Sequence, residues 1–289
     1  MNINFSPLIA GTMNWGAWGK QFSTDEMSQL IRLFFENGID TFDHADIYGA
    51  YTTEAAFGTA FKNTGISRDQ VKYITKCGIQ YVAPTRDNRI KHYNYSKEYI
   101  IWSVEESLRH LKTDYVDVLL LHRPSPLMHP DEIAEAVETL KSQDKILSFG
   151  VSNFTPSQTE LIRSRIEVAV NQIQFSATHT DPMTDGSLDY LLMHNIKPMA
   201  WNPLGDVFRT DTEQTRRLKT VLVKLSEKYD IGGDFLILSW FMRHPSGVLP
   251  LVGTTNPGRI QQLKKATQIQ WDIQDWFEIW VESMGCKVP

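Results

Sequence analysis

Short apolar runs alternate with longer segments of helical periodicity along almost the whole chain. The apolar runs predict eight β-strands, which cover residues 7–13, 40–44, 71–76, 116–122, 146–152, 169–175, 197–201 and 248–253. Several of the segments between them begin with Ser, Thr or Asp as an N-cap, and helices are predicted over residues 24–37, 96–111, 131–141, 156–165 and 214–229. No linker rich in Pro, Gly or Ser interrupts the alternation, so we expect one α/β domain over residues 1–289.

The predicted strands are almost entirely apolar, so both faces of the sheet need cover, as in a doubly wound sheet or a closed barrel. Eight strand–helix units in this length favour the (β/α)₈ TIM barrel. The first strand continues into Gly11-Thr12-Met13-Asn14-Trp15-Gly16, which lacks the glycine spacing of a doubly wound dinucleotide-binding fold. Residues 271–289 add an aromatic C-terminal helix with Trp276, Phe277 and Trp280, which we expect to pack across the barrel or over a site.

Composition narrows the class of partner. The chain has 289 residues, of which 42% are hydrophobic and 22% are charged, as in ordinary folded proteins. Its 29 basic and 34 acidic residues give a formal charge of −5, which argues against nucleic acid or an anionic membrane as partner. Cys77 and Cys286 have neither metal-ligand nor redox-pair spacing, and no signal peptide or bilayer-length apolar segment is evident. We therefore expect a cytoplasmic protein, as a monomer or small homo-oligomer.

Reactive side chains follow three neighbouring predicted strands, at the barrel end where active sites lie. Asp43, Lys76 and His122 end strands two, three and four, and Tyr48 lies in the loop after strand two. Each of these alone is more often a cap, a rim charge or a core histidine, but strands about 4.8 Å apart would bring them together. An ammonium beside a phenol lowers the phenol's pKa from about 10, which would make Tyr48 a proton donor. Asp43 would hold Lys76 charged, and a neutral His122 would orient a carbonyl oxygen.

Six short motifs resemble the aldo-keto reductase family, and specifically its bacterial branch of general oxidoreductases. They occur in the family's order over nearly the whole chain, at Gly11-Thr12-Met13, Asp43 to Tyr48-Gly49, Thr75-Lys76, His122-Arg123-Pro124, residues 150–154 and Asn171-Gln172. The resemblance implies a (β/α)₈ barrel that reversibly reduces aldehydes and ketones with NADP(H). It also implies a catalytic tetrad of Asp43, Tyr48, Lys76 and His122, in which Tyr48 delivers the proton.

The same resemblance implies where the cofactor binds. Amide and hydroxyl side chains would hold the nicotinamide carboxamide, an aromatic ring at Trp201 would replace the family's stacking tyrosine, and Thr254 and Arg259 would hold the adenosine 2′-phosphate. Gly253 stands where a lysine is frequent in the family, so NADP against NAD stays open. The implied contacts are Gly11, Thr12, Met13, Asp43, Ser152, Asn153, Gln172, Trp201, Asn202, Leu204, Gly205, Gly253, Thr254, Thr255, Arg259 and Gln262.

Substrate contacts are expected at Trp15, Tyr48, His92 and His122, within an aromatic pocket to which Trp18, Tyr51 and Phe208 also contribute. The loop over residues 82–95 would border the substrate. Two other functions stay open. One is a metal-dependent barrel hydrolase that uses His44, Asp46, His122, His129 and His179 as ligands, although we expect no metal. The other is a nicotinamide-nucleotide-binding redox sensor with little turnover.

Overall fold

The computed structural model describes residues 3–288, so the ends of the predicted domain at residues 1, 2 and 289 lie outside the described residues. Its strands are β1 (Ile9–Gly11), β2 (Thr41–Asp43), β3 (Lys72–Cys77), β4 (Ile79–Gln80), β5 (His92–Tyr93), β6 (Val116–Leu121), β7 (Ile146–Ser152), β8 (Val170–Gln174), β9 (Lys197–Trp201) and β10 (Leu249–Val252). A closed barrel is formed in the order β1-β10-β9-β8-β7-β6-β3-β2. The eight predicted strands and the (β/α)₈ barrel are thereby confirmed.

Helices follow most of the barrel strands. They are α1 (Thr24–Glu36), α2 (Thr53–Lys62), α3 (Lys97–Leu111), α4 (Pro130–Ser142), α5 (Pro156–Arg163), α6 (Ser187–Met193), α7 (Glu213–Tyr229), α8 (Gly233–Met242), α9 (Pro257–Ile260), α10 (Leu263–Ala266) and α11 (Ile273–Met284). The five predicted helices correspond to α1, α3, α4, α5 and α7. Within residues 3–288, no helix is long and apolar enough to cross a membrane.

The chain divides into two compact units at the boundary between Asn171 and Gln172. The first unit contains β1 to β7 and α1 to α5, and the second contains β9, β10 and α6 to α11, while β8 begins in the first and continues in the second. The single domain expected over residues 1–289 stays a prediction.

Parallel pairing in the first unit brings the reactive strand ends to one edge. Gly11 pairs with Asp43 across β1 and β2, and Asp43 pairs with Ile74 across β2 and β3. Lys76 pairs with Leu120 across β3 and β6. Because the strands are parallel and in this register, the carboxyl ends of β2, β3 and β6 lie side by side.

The C-terminal helix α11 packs within the second unit. Asp272 caps its first turn, and the chain ends the helix at Gly285 in the left-handed conformation, with φ of 75°. The rings of Trp276 and Trp240 stack with centroids 5.0 Å apart, and each indole N–H donates to the other residue's carbonyl. Helix α11 therefore packs on α7 and α8, in agreement with the predicted aromatic helix after the eighth strand.

Candidate active site

The Lys76 ammonium lies at the centre of the first unit's strand-end cluster. Its Nζ donates to Asp43 Oδ2 at 2.7 Å, to the His44 carbonyl at 2.7 Å and to the Tyr48 hydroxyl at 3.2 Å. The side chains of Lys76 and Asp43 are 1% and 2% exposed. All three donor positions of the ammonium are thus directed to oxygen atoms, so the side chain has one well-defined orientation.

The buried ammonium stays charged. Burial alone would lower the pKa of Lys76, but the Asp43 carboxylate and the Tyr48 hydroxyl together outweigh it, and the pKa is raised above its ordinary value. A buried ion pair of this kind contributes little net stability, but removal of one partner is costly because the other charge stays buried. The pair therefore holds a fixed positive charge beside Tyr48.

Tyr48 is presented by a turn with unusual backbone geometry. Gly49, Ala50 and Tyr51 all have left-handed φ values, of 58°, 54° and 70°, a conformation that costs a non-glycine residue about 1–2 kcal/mol. The Tyr48 carbonyl accepts from the amides of Thr52 and Thr53, both at 3.2 Å, which ties the turn to the start of α2. The turn thus holds the phenol, which is 8% exposed, at the mouth of the barrel.

The expected fall in the pKa of Tyr48 is wrong for this structure. Burial raises the pKa of the phenol more than the Lys76 ammonium lowers it, and Asp43 adds to the rise, so the net shift is upward. The physical reason is that the sequence places the cation beside the ring but does not reveal how much solvent the ring loses. Tyr48 is consequently fully protonated at neutral pH.

His122 completes the cluster. Its ring lies edge-on to that of Tyr48, with centroids 6.1 Å apart, and its backbone N–H donates to the Cys77 carbonyl at 2.9 Å. Burial, followed by the Lys76 charge, holds the pKa of His122 well below its ordinary value. The imidazole is therefore neutral, and its buried Nδ1 has no hydrogen-bond partner among residues 3–288.

Besides Tyr48 and His122, the residues predicted to contact the substrate were Trp15 and His92. Trp15 is completely buried and packs against Phe34, Phe42 and Phe57 at 5.9–6.3 Å between ring centroids. Its predicted contact with substrate is therefore wrong, because no part of the ring reaches solvent. His92 is exposed on β5, and its Nδ1 lies 3.0 Å from the Ile90 carbonyl; its role stays a prediction.

Trp18, which was expected to contribute to the aromatic pocket, lies beside Tyr48 and also contacts Tyr81, which was not predicted. The Trp18 ring lies 6.3 Å from the Tyr48 ring and 5.3 Å from the Tyr81 ring, measured between centroids. Tyr81 follows β4, and its amide donates to the Tyr51 hydroxyl at 2.8 Å. The rings of Trp18, Tyr81 and Tyr48 thus form an aromatic wall next to the Tyr48 hydroxyl. Phe208, which belongs to the second unit, is 51% exposed.

Two carboxyl groups of this region are buried: Asp46 was considered only as a metal ligand, and Glu54 was not predicted. Burial raises the pKa of Asp46 to about 8, with a further contribution from Glu54, and burial raises the pKa of Glu54 to about 7. Glu54 accepts from the Thr75 hydroxyl at 2.5 Å, and Asp46 accepts from the Ser103 hydroxyl at 3.2 Å. A small pocket beside them is lined by Asp46, Tyr51, Glu54, Arg86, Ser103, Glu106, Ser107 and His110. The sequence offered one signal, the acidic residues that flank Tyr48.

The predicted cofactor residues of the first unit lie at the ends of β1, β2 and β7. Thr12 is buried, and its hydroxyl donates to the Asp43 carbonyl at 2.9 Å, whereas Met13 is 45% exposed. Ser152 is buried, and its hydroxyl accepts from the Asn153 side-chain amide at 2.8 Å. Asn153 has a left-handed φ of 61°. These hydroxyl and amide groups fit the donors and acceptors of a nicotinamide carboxamide.

In the second unit, Gln172 lies in β8 and Trp201 at the end of β9. The next predicted contacts, Asn202, Leu204 and Gly205, follow in a turn.

The remaining predicted cofactor residues follow β10. A Cβ added to Gly253 would meet no described atom within 4 Å. The Thr254 hydroxyl accepts from the Asn256 amide at 3.3 Å, and Thr255 is half-buried. Arg259 and Gln262 are exposed, and Arg259 Nε lies 3.5 Å from Asp234 Oδ2. An exposed guanidinium such as that of Arg259 can bind a phosphate.

The residues proposed above as metal ligands do not form a cluster. His44 is buried with its ring 4.3 Å from that of Phe57, and its Nδ1 lies 3.0 Å from the Thr12 hydroxyl. His129 lies at the start of α4, and His179 belongs to the second unit. Across the described part of the chain, no three His, Cys, Asp or Glu side chains are grouped to hold a metal ion.

Comparison with known proteins identifies the relatives of this chain. The model of the aldo/keto reductase family matches residues 7–280. The chain is 39% identical to the uncharacterized oxidoreductase YcsN of Bacillus subtilis, over all of this chain and 97% of that protein. It is 38% identical to a 6-dehydroglucose reductase of Agrobacterium fabrum, over 89% and 88%. The fold is similar to that of glycerol dehydrogenase AKR11B4 from Gluconobacter oxydans, with a TM-score of 0.86, 21% identity and coverage of 100% and 95%.

Proposed function

The chain belongs to the aldo/keto reductase family and is an oxidoreductase of small carbonyl compounds, and we propose that it uses NADP(H) to reduce an aldehyde or ketone with Tyr48 as the general acid. The observation that carries this proposal is the buried Lys76 ammonium, which donates to both Asp43 Oδ2 and the Tyr48 hydroxyl. Because the Tyr48 oxygen accepts from Lys76, its own proton points elsewhere and is available to a substrate oxygen.

The side chains of this cluster would bind the carbonyl oxygen and supply its proton. When bound, the reduced nicotinamide supplies a hydride to the carbonyl carbon. A carbonyl oxygen placed between Tyr48 and the neutral imidazole of His122 would accept a hydrogen bond from each. Tyr48 then gives its proton to that oxygen, and the phenolate that results is stabilised by the Lys76 ammonium 3.2 Å away. Asp43 keeps Lys76 protonated throughout.

Ser152 and Asn153 of the first unit supply the hydroxyl and amide groups that would bind the carboxamide. In the second unit, Arg259 and Thr254 would bind a phosphate. Arg259 favours NADP(H), because a 2′-phosphate offers the guanidinium a charge-assisted contact that NAD(H) lacks. Asp234, 3.5 Å from Arg259 Nε, would then share the guanidinium with that phosphate.

The aromatic wall of Trp18, Tyr81 and Tyr48 favours carbonyl substrates with a flat or apolar face, because stacked and edge-on ring contacts stabilise such groups. The relative from Agrobacterium fabrum is described as a 6-dehydroglucose reductase, and the apolar face of a sugar ring fits the same wall. A first panel of substrates therefore contains an aromatic aldehyde, a short aliphatic aldehyde and 6-dehydroglucose.

Tyr48→Phe tests the proposal, because it removes the proton donor and keeps the ring. We expect kcat for NADPH-dependent carbonyl reduction to fall by at least about 100-fold, the scale of general acid catalysis, while NADPH still quenches tryptophan fluorescence as it does in the wild type. Steady-state rates with the panel, and a fluorescence titration, measure the two effects.

Tyr115→Phe, which removes a hydroxyl away from the Tyr48 cluster, is the matched control and should retain its rate. Turnover that survives Tyr48→Phe would contradict the role of Tyr48 as acid. Tight NADPH binding without turnover of any panel member in the wild type would instead favour the redox sensor.

A further inference from the structure

A single tyrosine hydroxyl binds both main-chain groups of the residue that follows His122. Tyr95 lies two residues before α3 and is 5% exposed. Its hydroxyl donates to the Arg123 carbonyl at 2.5 Å and accepts from the Arg123 amide at 3.1 Å. The expectation that Tyr95 borders the substrate is therefore replaced by a buried contact with the backbone of the loop after β6.

The peptide groups on both sides of His122 are anchored in this way. The amide of His122 itself donates to the Cys77 carbonyl at 2.9 Å, and the amide of the next peptide is bound by Tyr95. Within the described residues, no hydrogen bond holds the imidazole through its buried Nδ1. These two backbone anchors and the edge-on packing against Tyr48 therefore contribute to the orientation of the ring.

The site for the Tyr95 ring is built into the end of β3. Gly78 has a positive φ of 108°, and a Cβ on this residue would overlap the Tyr95 ring. The Gly78 carbonyl accepts from the Asn94 amide at 2.9 Å, one residue before Tyr95. Glycine is required here for both backbone conformation and space, which fixes the ring directly beside the strand that also anchors His122.

We propose that Tyr95 is a positioning residue, which holds the backbone at Arg123 and thereby sets the His122 imidazole relative to the Tyr48 hydroxyl. This inference rests on the proposed function, in which His122 and Tyr48 together bind the carbonyl oxygen. Loss of the Tyr95 hydroxyl would leave the half-buried amide and carbonyl of Arg123 without that partner, and the loop would relax around them. His122 would then spend less time in the orientation that binds the carbonyl.

A double-mutant cycle with Tyr95→Phe and His122→Ala tests the proposal. We expect Tyr95→Phe alone to lower kcat/KM for carbonyl reduction about tenfold, with the NADPH dissociation constant unchanged. In the His122→Ala background, the same substitution should change kcat/KM by less than about twofold, since it acts through a ring that is no longer present. Tyr73→Phe, which removes a buried hydroxyl that has no partner within residues 3–288, is the matched control and should stay within about twofold of the wild type.

A direct measurement of the His122 ring is independent of turnover. In two-dimensional ¹⁵N NMR of the histidine rings, with the His122 signals assigned from His122→Ala, Tyr95→Phe should shift or broaden those signals and Tyr73→Phe should not. Additive effects of Tyr95→Phe and His122→Ala, or unchanged His122 signals in Tyr95→Phe, would overturn the inference. If the wild type reduces no carbonyl but Tyr95→Phe still disturbs the His122 signals, the proposed function fails and the positioning by Tyr95 stands.

Discussion

The protonation of the side chains around Lys76 follows from how deeply each is buried. Burial is the largest influence on the pKa of Tyr48, His122, Asp46 and Glu54. It raises the pKa of the acids and lowers that of the imidazole, because each then favours its neutral form. Lys76 is the exception, since Asp43 is close enough to keep it charged. The cluster around Lys76 therefore combines the Lys76–Asp43 ion pair with a neutral phenol at Tyr48 and a neutral imidazole at His122.

Glu54→Gln should change how stability depends on pH. The pKa of Glu54 in the fold, about 7, is above its ordinary value of 4.5, so the fold holds a proton that the unfolded chain releases. The stability from this proton is fully present below about pH 4.5 and is lost as the pH rises through about 7. The stability difference between Glu54→Gln and the wild type should therefore move in favour of Glu54→Gln by about 3 kcal/mol between pH 4.5 and pH 8.

Urea unfolding at several pH values between about 4.5 and 8 measures this difference. Glu132→Gln, an exposed glutamate in the first turn of α4, is the matched control and should run parallel to the wild type. Parallel curves for Glu54→Gln and the wild type would show that the fold does not raise the pKa of Glu54. Asp46 stays in the variant, so part of the wild-type slope remains.

Element lengths explain what the sequence could predict. The eight barrel strands are apolar runs bounded by polar residues, and all were predicted. Strands β4 and β5 have two residues each, too few to show any period, so the hairpin that carries Tyr81 was missed. Helix α8 is buried over residues 235–241 and therefore lacks the polar face that marks an amphipathic helix. The convergence of the reactive strand ends was predictable from strand order. The positions of Tyr81 and Tyr95 were not, because they depend on loop conformations that the hydrophobic pattern does not predict.

The turn between β2 and α2 supplies a test at the scale of an element. In Gly49→Ala, the new Cβ would lie 2.5 Å from Thr53 Oγ1 and 2.9 Å from Thr52 Oγ1, at a φ of 58°. We expect a loss of about 2–3 kcal/mol in the free energy of unfolding from overpacking and strain together. We also expect a fall in kcat, since the displaced turn carries Tyr48.

Gly65→Ala separates the two causes. Gly65 also has a positive φ, of 76°, but a Cβ there would meet no described atom within 4 Å. This variant should lose only about 1 kcal/mol, the cost of the backbone conformation, and should keep its kcat. Equal losses of stability in the two variants, measured by urea unfolding, would mean that the Thr52 and Thr53 hydroxyls do not restrict the turn.

At the scale of the whole molecule, the formal charge of −5 opposes the binding of a polyanionic nucleotide. Long-range attraction therefore cannot select NADP(H) over NAD(H), and the choice depends on local cations. In the second unit, Arg259 is the predicted 2′-phosphate contact, and it is exposed although Asp234 lies beside it. A bound nucleotide stabilises the native chain by an amount that grows with ligand concentration over Kd, so thermal unfolding reports this local selection.

NADPH should therefore raise the Tm of the wild-type protein more than NADH at the same concentration. Arg259→Ala should weaken NADPH binding by about 10- to 100-fold, the scale of a lost charge-assisted hydrogen bond, and should leave the smaller shift with NADH unchanged. Arg216→Ala, which removes an exposed guanidinium on α7 that is paired with Asp211, is the matched control and should respond to both nucleotides as the wild type does. Equal shifts with NADPH and NADH in the wild type would remove the basis for NADP selectivity, whereas an unchanged NADPH shift in Arg259→Ala would assign the 2′-phosphate to another cation. Because the comparison is between two nucleotides on the same variant, a loss of stability from the substitution itself cancels, and the difference isolates the 2′-phosphate.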